Sequence, residues 1–212
     1  MKVDIVSDVV CPWCYVGKRR FEQALAARPG LDVEISWRAF QLNPDMPADG
    51  MERESYLVAK FGSAARAESI YADITAAGAE ESIAFAFERI TRTPNTIDAH
   101  RLIRLAGEHG VQDPVVEALF RCYFEQGADI GDPAQLAEIG NEGGLDAGVT
   151  RVHLASDEGI EEIKAEDLQA RRLGVNGVPC FIIDRRYAIS GAQAPEVFER
   201  IFDTARQVDA AE

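Results

Sequence analysis

Val9-Val10-Cys11-Pro12-Trp13-Cys14 stands between two stretches of different period. Residues 1–7 carry Val3, Ile5 and Val6 and read as a strand; from Pro12 to about residue 28, Val16, Phe21 and Leu25 fall roughly one turn apart and read as a helix. The two cysteines therefore sit at a strand-to-helix junction, on the first helical turn. There the backbone N–H groups have no partner within the helix, and the macrodipole adds partial positive charge. Both effects favour a thiolate at Cys11. Pro12 suits the first helical position, where its missing N–H costs nothing and its φ is already helical. Cys14, one turn in, is close enough to attack a mixed disulfide on Cys11. The pair fits thiol–disulfide chemistry. The bland alternative is half of a zinc site, but zinc needs a second pair of ligands, and Cys122, Cys180 and the three histidines are scattered without that spacing. No metal is expected.

The chain has 212 residues, enough for one large domain or a domain with a sizeable insertion. Its net charge of −14 argues against nucleic acid and anionic membrane as partners. The start lacks the basic, apolar and small-residue succession of a secretory leader, and no apolar run approaches the roughly 20 residues that cross a bilayer. A cytoplasmic protein is expected, its cysteines chemical or buried rather than scaffold bonds.

Onward from the first helix, Arg28-Pro29-Gly30 is a turn. Residues 31–40 alternate, with Val33, Ile35, Trp37 and Ala39 on one face, and read as a second strand parallel to the first. From about residue 50 to 173 only helices and turns are expected. Two cover 52–61 and 64–77. A third runs through His109 from a cap at Asn95 or Thr96, and others open at Asp113-Pro114 and Asp132-Pro133. A long one is expected from a Ser156 cap toward Arg172, ended by Gly174. Residues 83–93 read as an extended linker over the surface. Strand character returns at 180–183 and 187–189 around an Asp184-Arg185 turn. A last helix covers 195 to about 206, with a frayed tail from Gln207. The expected fold is α/β: a thioredoxin-like β-α-β and α-β-β-α, residues 1–43 and 174–212, interrupted by an all-helical insertion at 44–173. Closing that sheet brings Val178-Pro179 toward Cys11.

With Cys11-Pro12-Trp13-Cys14 and Gly177-Val178-Pro179 both in view, the chain resembles the DsbA-like thioredoxin-fold family, and within it the cytoplasmic FrnE-like subgroup. The likeness spans essentially the whole chain. It includes Ser7-Asp8, Trp37-Arg38, Phe40-Gln41-Leu42-Asn43-Pro44, Asn95-Thr96 with Ala99-His100-Arg101, and Ser190-Gly191-Ala192-Gln193. It implies a cis proline at Pro179 facing the cysteines, with Val178 offering its backbone to an extended substrate. One departure is Cys180, where the subgroup usually has a large apolar residue; it places a third thiol near the site.

The expected activity is disulfide exchange on protein or small-molecule substrates carrying thiols or disulfides. Cys11 is the nucleophile and Cys14 the resolving thiol. Pro12 and Trp13 tune the pair, Trp13 either touching substrate or packing on the helix. Asp8 either bonds turn backbone or relays protons to Cys14. Cys180 is either a small core residue or a redox partner of Cys11. Cys122 is expected in the core, and His100 is expected to pack or cap within the insertion. No bound cofactor is expected, since no phosphate-binding glycine fingerprint appears; electrons come from glutathione or a dithiol protein. The chain is compatible with a monomer or a homodimer. Two rivals remain: a glutathione-dependent transferase or isomerase of aromatic or polyketide-like compounds, and a chaperone-like binding module.

Overall fold

The computed structural model describes residues 1–209. Strand β1 (Lys2–Ser7) is followed by helix α1 (Pro12–Ala26) and strand β2 (Glu34–Ala39), which lies parallel to β1 with Val3 opposite Ile35 and Ile5 opposite Trp37. Parallel neighbours need a crossover, and α1 supplies it. Strands β5 (Cys180–Ile183) and β6 (Tyr187–Ser190) complete a sheet of order β2-β1-β5-β6, with β5 antiparallel to both neighbours. Val6 lies opposite Cys180, so the residues just before β5 arrive at the end of β1 from which the cysteine turn departs.

Side chains alternate across β5 and divide the core. Phe181 packs on Phe21 of α1 and on Phe198 of helix α9 (Pro195–Asp209), with ring centroids 5.3 and 4.7 Å apart. Cys180 points to the other face, into a cluster with Val6, Phe40, Ala170 and Val175. The β5–β6 turn is tight. Asp184 and Arg185 have φ of 49° and 58°, and the Asp184 carboxylate accepts from the Lys2 backbone N–H at 2.6 Å. Asp tolerates the left-handed region and bonds backbone, which explains the turn without glycine.

Between β2 and β5 lie helices α2 (Arg53–Phe61), α3 (Ala64–Glu80), α4 (Ile97–Glu108), α5 (Gln112–Phe124), α6 (Pro133–Glu142), α7 (Ala147–Leu154) and α8 (Ile160–Arg172). The expectation of helices alone fails at one place: β3 (Met51–Glu52) pairs antiparallel with β4 (Arg92–Thr93). Two-residue strands have no period to read. Residues 83–93 are not a surface linker. Ile83, Ile90 and Thr93 are buried, and Phe85 and Phe87 stack at 4.8 Å and meet Phe124 edge-on. Apolar content outweighed the lack of periodicity.

The long helix capped by Ser156 is also corrected. Helix α7, which the sequence reading missed, is capped by the Asp146 carboxylate on Val149 N–H at 2.8 Å and ends at Leu154. Helix α8 starts after Gly159, whose φ of 86° breaks the chain direction. Buried Arg101 holds this junction, donating to the carbonyls of His153, Ser156 and Glu158, each at 2.7 Å. The tail expected to fray from Gln207 is helical through Asp209; its remainder lies outside the described residues.

Candidate functional site

Cys11 is the N-cap residue of α1, with Pro12 in the first turn and no side chain capping the helix. Its N–H donates to Asp8 O and its carbonyl accepts from Cys14 N–H, both at 3.0 Å, so the thiol is fixed by a closed turn. Cys11 Sγ donates to Val178 O at 3.6 Å across the end of the sheet, and the Val178–Pro179 peptide bond is cis. The topology thus brings together Cys11, Cys14, Val178 and Pro179. All four cysteines are free thiols.

Cys14 is buried, and burial pushes its thiol well above the ordinary range, with Cys11 beside it adding to the rise. The Ser7 hydroxyl and the Asp8 backbone N–H act in the opposite direction. Trp13 is 38 % exposed, so its ring projects outward beside the cysteines rather than into the core.

Asp8 is fully buried. One carboxylate oxygen accepts from Leu42 N–H at 2.8 Å, and the other lies 3.4 Å from His100 Nε2. His100 Nε2 also lies 3.2 Å from Phe40 O. Asp8 therefore pins the chain leaving β2 to the active turn. His100, expected to pack or cap within the insertion, instead reaches out of α4 to this turn. No local pattern predicts such a contact, since Phe40 lies 60 positions away.

Cys180 is separated from the pair by the sheet itself, since it faces α8 while Cys11 and Cys14 belong to the core on the α1 face. Burial raises its thiol, partly offset by the Ser190 hydroxyl. Cys122 is buried on α5.

Gly17 was missed by the sequence reading. A Cβ there would lie 2.8 Å from Pro179 Cγ, so this glycine lets α1 approach the proline that faces Cys11. A glycine inside a helix three positions after the second cysteine is the signal that could have found it. Among the described residues no group of three or more His, Cys, Asp or Glu side chains is placed to hold a metal ion, and no helix is long and apolar enough to cross a membrane.

A parallel β-α-β unit with Cys-x-x-Cys at its helix start, met by an X-Pro turn before an antiparallel hairpin, defines a thioredoxin-fold protein. The chain belongs to the DSBA-like thioredoxin domain family, whose model matches residues 2–203. A probable DsbA oxidoreductase from Streptomyces coelicolor is 38% identical and superposes with a TM-score of 0.87, covering 98% of this chain and 90% of that one. A 2-hydroxychromene-2-carboxylate isomerase is 16% identical with a TM-score of 0.74, covering 100% of this chain and 98% of that one. The cytosolic disulfide reductase DsbM from Pseudomonas aeruginosa, solved with GSH, is 17% identical with a TM-score of 0.69, covering 98% of this chain and 100% of that one. The last two likenesses concern the fold alone.

Proposed function

We propose that the chain is a thiol–disulfide oxidoreductase whose exchanging pair is Cys11 and Cys14. Cys11 thiolate attacks one sulfur of a substrate disulfide, forming a mixed disulfide and releasing the other half as a thiolate. Cys14 then attacks the Cys11 sulfur, giving the Cys11–Cys14 disulfide and releasing the second thiol. Two electrons pass from the pair to the substrate, and glutathione or a dithiol protein returns them. Run in reverse, the oxidised pair oxidises a substrate dithiol. The observation that carries this reading is Cys11 Sγ held 3.6 Å from Val178 O, with Cys14 buried one turn behind it. Trp13 offers an apolar face to the incoming group, and the Val178 backbone offers it an extended edge. The cytoplasmic FrnE-like subgroup, the cytoplasm, and monomer or homodimer are part of the same reading. A cytosolic reductase solved with GSH shares this fold, with which that location and electron source are compatible.

The rival glutathione-dependent isomerase draws support from the likeness to the chromene-carboxylate isomerase. The presence of both cysteines favours exchange instead. The test is equilibration in glutathione redox buffers, read by tryptophan fluorescence and by mass. A midpoint of about −120 to −180 mV marks an oxidase or isomerase, and about −230 to −270 mV a reductase of the cytosolic thiol pool. A pair that never equilibrates, or glutathione-dependent turnover that survives Cys14→Ser, moves the assignment to the isomerase.

A further inference from the structure

Among the described residues, Arg53 is a buried cation with no carboxylate partner. It is 8% exposed, and its guanidinium donates only to Thr93 Oγ1 at 3.0 Å and Tyr71 OH at 2.8 Å. The Tyr71 and Tyr56 rings flank it, with centroids 5.2 and 5.7 Å from Cζ. The other buried cations, Lys18 and Arg101, and half-buried Arg20 are compensated. Lys18 meets Glu22, Asp113 and Glu117, Arg101 meets Asp98, and Arg20 meets Glu81. Acids are not scarce, since the chain has 36 Asp and Glu against 22 Lys and Arg. Among the described residues none of them pairs with Arg53. Withdrawing a charge from water without a counter-charge is costly. A fold that does so leaves the charge to be matched by something other than its own acids.

The neighbours point the same way. Arg53, Tyr56 and Lys60 stand on α2 at intervals that put them on one helical face. Exposed Lys60 donates to Tyr56 OH and, among the described residues, pairs with no carboxylate. The cluster also adjoins the cysteine turn. Tyr56 OH bonds Asn43 Oδ1 at 3.2 Å, one residue beyond the Leu42 N–H that Asp8 holds.

We propose that Arg53, with Lys60 at its outer edge, is a carboxylate-binding subsite that selects small thiols and disulfides bearing a carboxylate and places their sulfur at Cys11. The placement of sulfur rests on the exchange reading above, whereas carboxylate binding does not. The planar fork of Arg53 suits a carboxylate in two-point contact, and the tyrosine rings hold the fork in place. 3-Thiopropionate and the peptide thiols carry both groups, a sulfur for Cys11 and a carboxylate for Arg53.

The test has two arms. In the first, wild type, Arg53→Met and Lys60→Gln are assayed with 3,3′-dithiodipropionate and with neutral bis(2-hydroxyethyl) disulfide. The ratio of the two kcat/KM values is expected to fall about tenfold in Arg53→Met, as for loss of a charged hydrogen bond, and less in Lys60→Gln. Arg53→Lys restores part of it. A ratio unchanged by Arg53→Met and Lys60→Gln overturns the proposal. The second arm needs no turnover and no variant: calorimetric binding of S-methylglutathione and of its diethyl ester to wild type. Tighter binding of the free acid is expected, and equal binding, or none, overturns the subsite. If wild type exchanges neither disulfide but binds the acid selectively, the exchange reading fails and the subsite stands.

Discussion

Gly17 sets the distance between the active helix and the proline opposite Cys11, which makes Gly17→Ala a sharp probe. A Cβ at this position falls about 0.6 Å inside ordinary contact with Pro179 Cγ, and also meets the Phe181 ring at 3.4 Å and Ala192 Cβ at 3.5 Å. None of these is the free end of a flexible chain. Two effects oppose each other. Alanine in a helix interior gains about 1 kcal/mol over glycine. Overpacking a filled contact costs about 1–3 kcal/mol. The overlap wins by about 1 kcal/mol, and for a chain of this size the melting temperature falls by about 2–4 °C. Gly17→Val has a smaller propensity gain and a larger overlap, so stability should fall in the order Gly, Ala, Val. Thermal unfolding of the reduced proteins gives this order. Because relief comes from moving Pro179 and Val178 away from α1, Cys11 should also alkylate faster with iodoacetamide. An alanine variant as stable as wild type, or more so, with unchanged alkylation, refutes the argument.

Other expectations follow from single contacts. Arg101→Met leaves four carbonyls of the α7–α8 junction and the Asp98 carboxylate without this donor, and should cost about 3 kcal/mol in urea unfolding. Burial alone would raise the Glu117 carboxyl, but Arg19 and Lys18 more than offset it and hold it below the usual carboxylate range. Its contribution is therefore present above about pH 4.3 and lost as the pH falls further. Glu117→Gln should flatten the acid limb of stability against pH. Cys180→Ala should leave disulfide exchange within about twofold of wild type, since Cys180 faces the far side of the sheet; loss of turnover would contradict that placement.

The sheet and its first helix were legible because each has a period and an end signal: Val3, Ile5 and Val6 before the cysteines, Pro12 at the helix start, Gly174 at a helix end. Helices opened by Asp132-Pro133 or closed by glycine were equally plain. What failed was non-local or too short. A two-residue ladder has no pattern, and residues 83–93 gained their order from Phe124, far along the chain. Gly159 marked the α7–α8 break, but Ser156 looked like the stronger signal because its side chain does bond forward, to Glu158 N–H at 3.2 Å. At the site, the cysteines and the Val178-Pro179 turn could be placed by topology. The side of the sheet that Cys180 takes was implicit in strand alternation, since Phe181 and Ile183 claim the α1 face. His100 and Arg53 could not be found this way. Their significance lies in what sits, or does not sit, beside them.

The helix that carries the cysteines is shared property. Tyr15 stacks on Phe120 at 5.1 Å, Arg19 pairs with Glu117, and Lys18 is buried among α5 carboxylates, while Phe21 of the same helix turns to the sheet. Removing residues 44–173 to leave a minimal redox core would strip one whole flank of α1 and leave Tyr15, Lys18 and Trp37 facing water. The helical block thus cannot swing as a lid while the cysteine helix stays still. Any opening between them must pull on the backbone that presents Cys11, so a partner that grips α5 would be felt at the thiols without touching them.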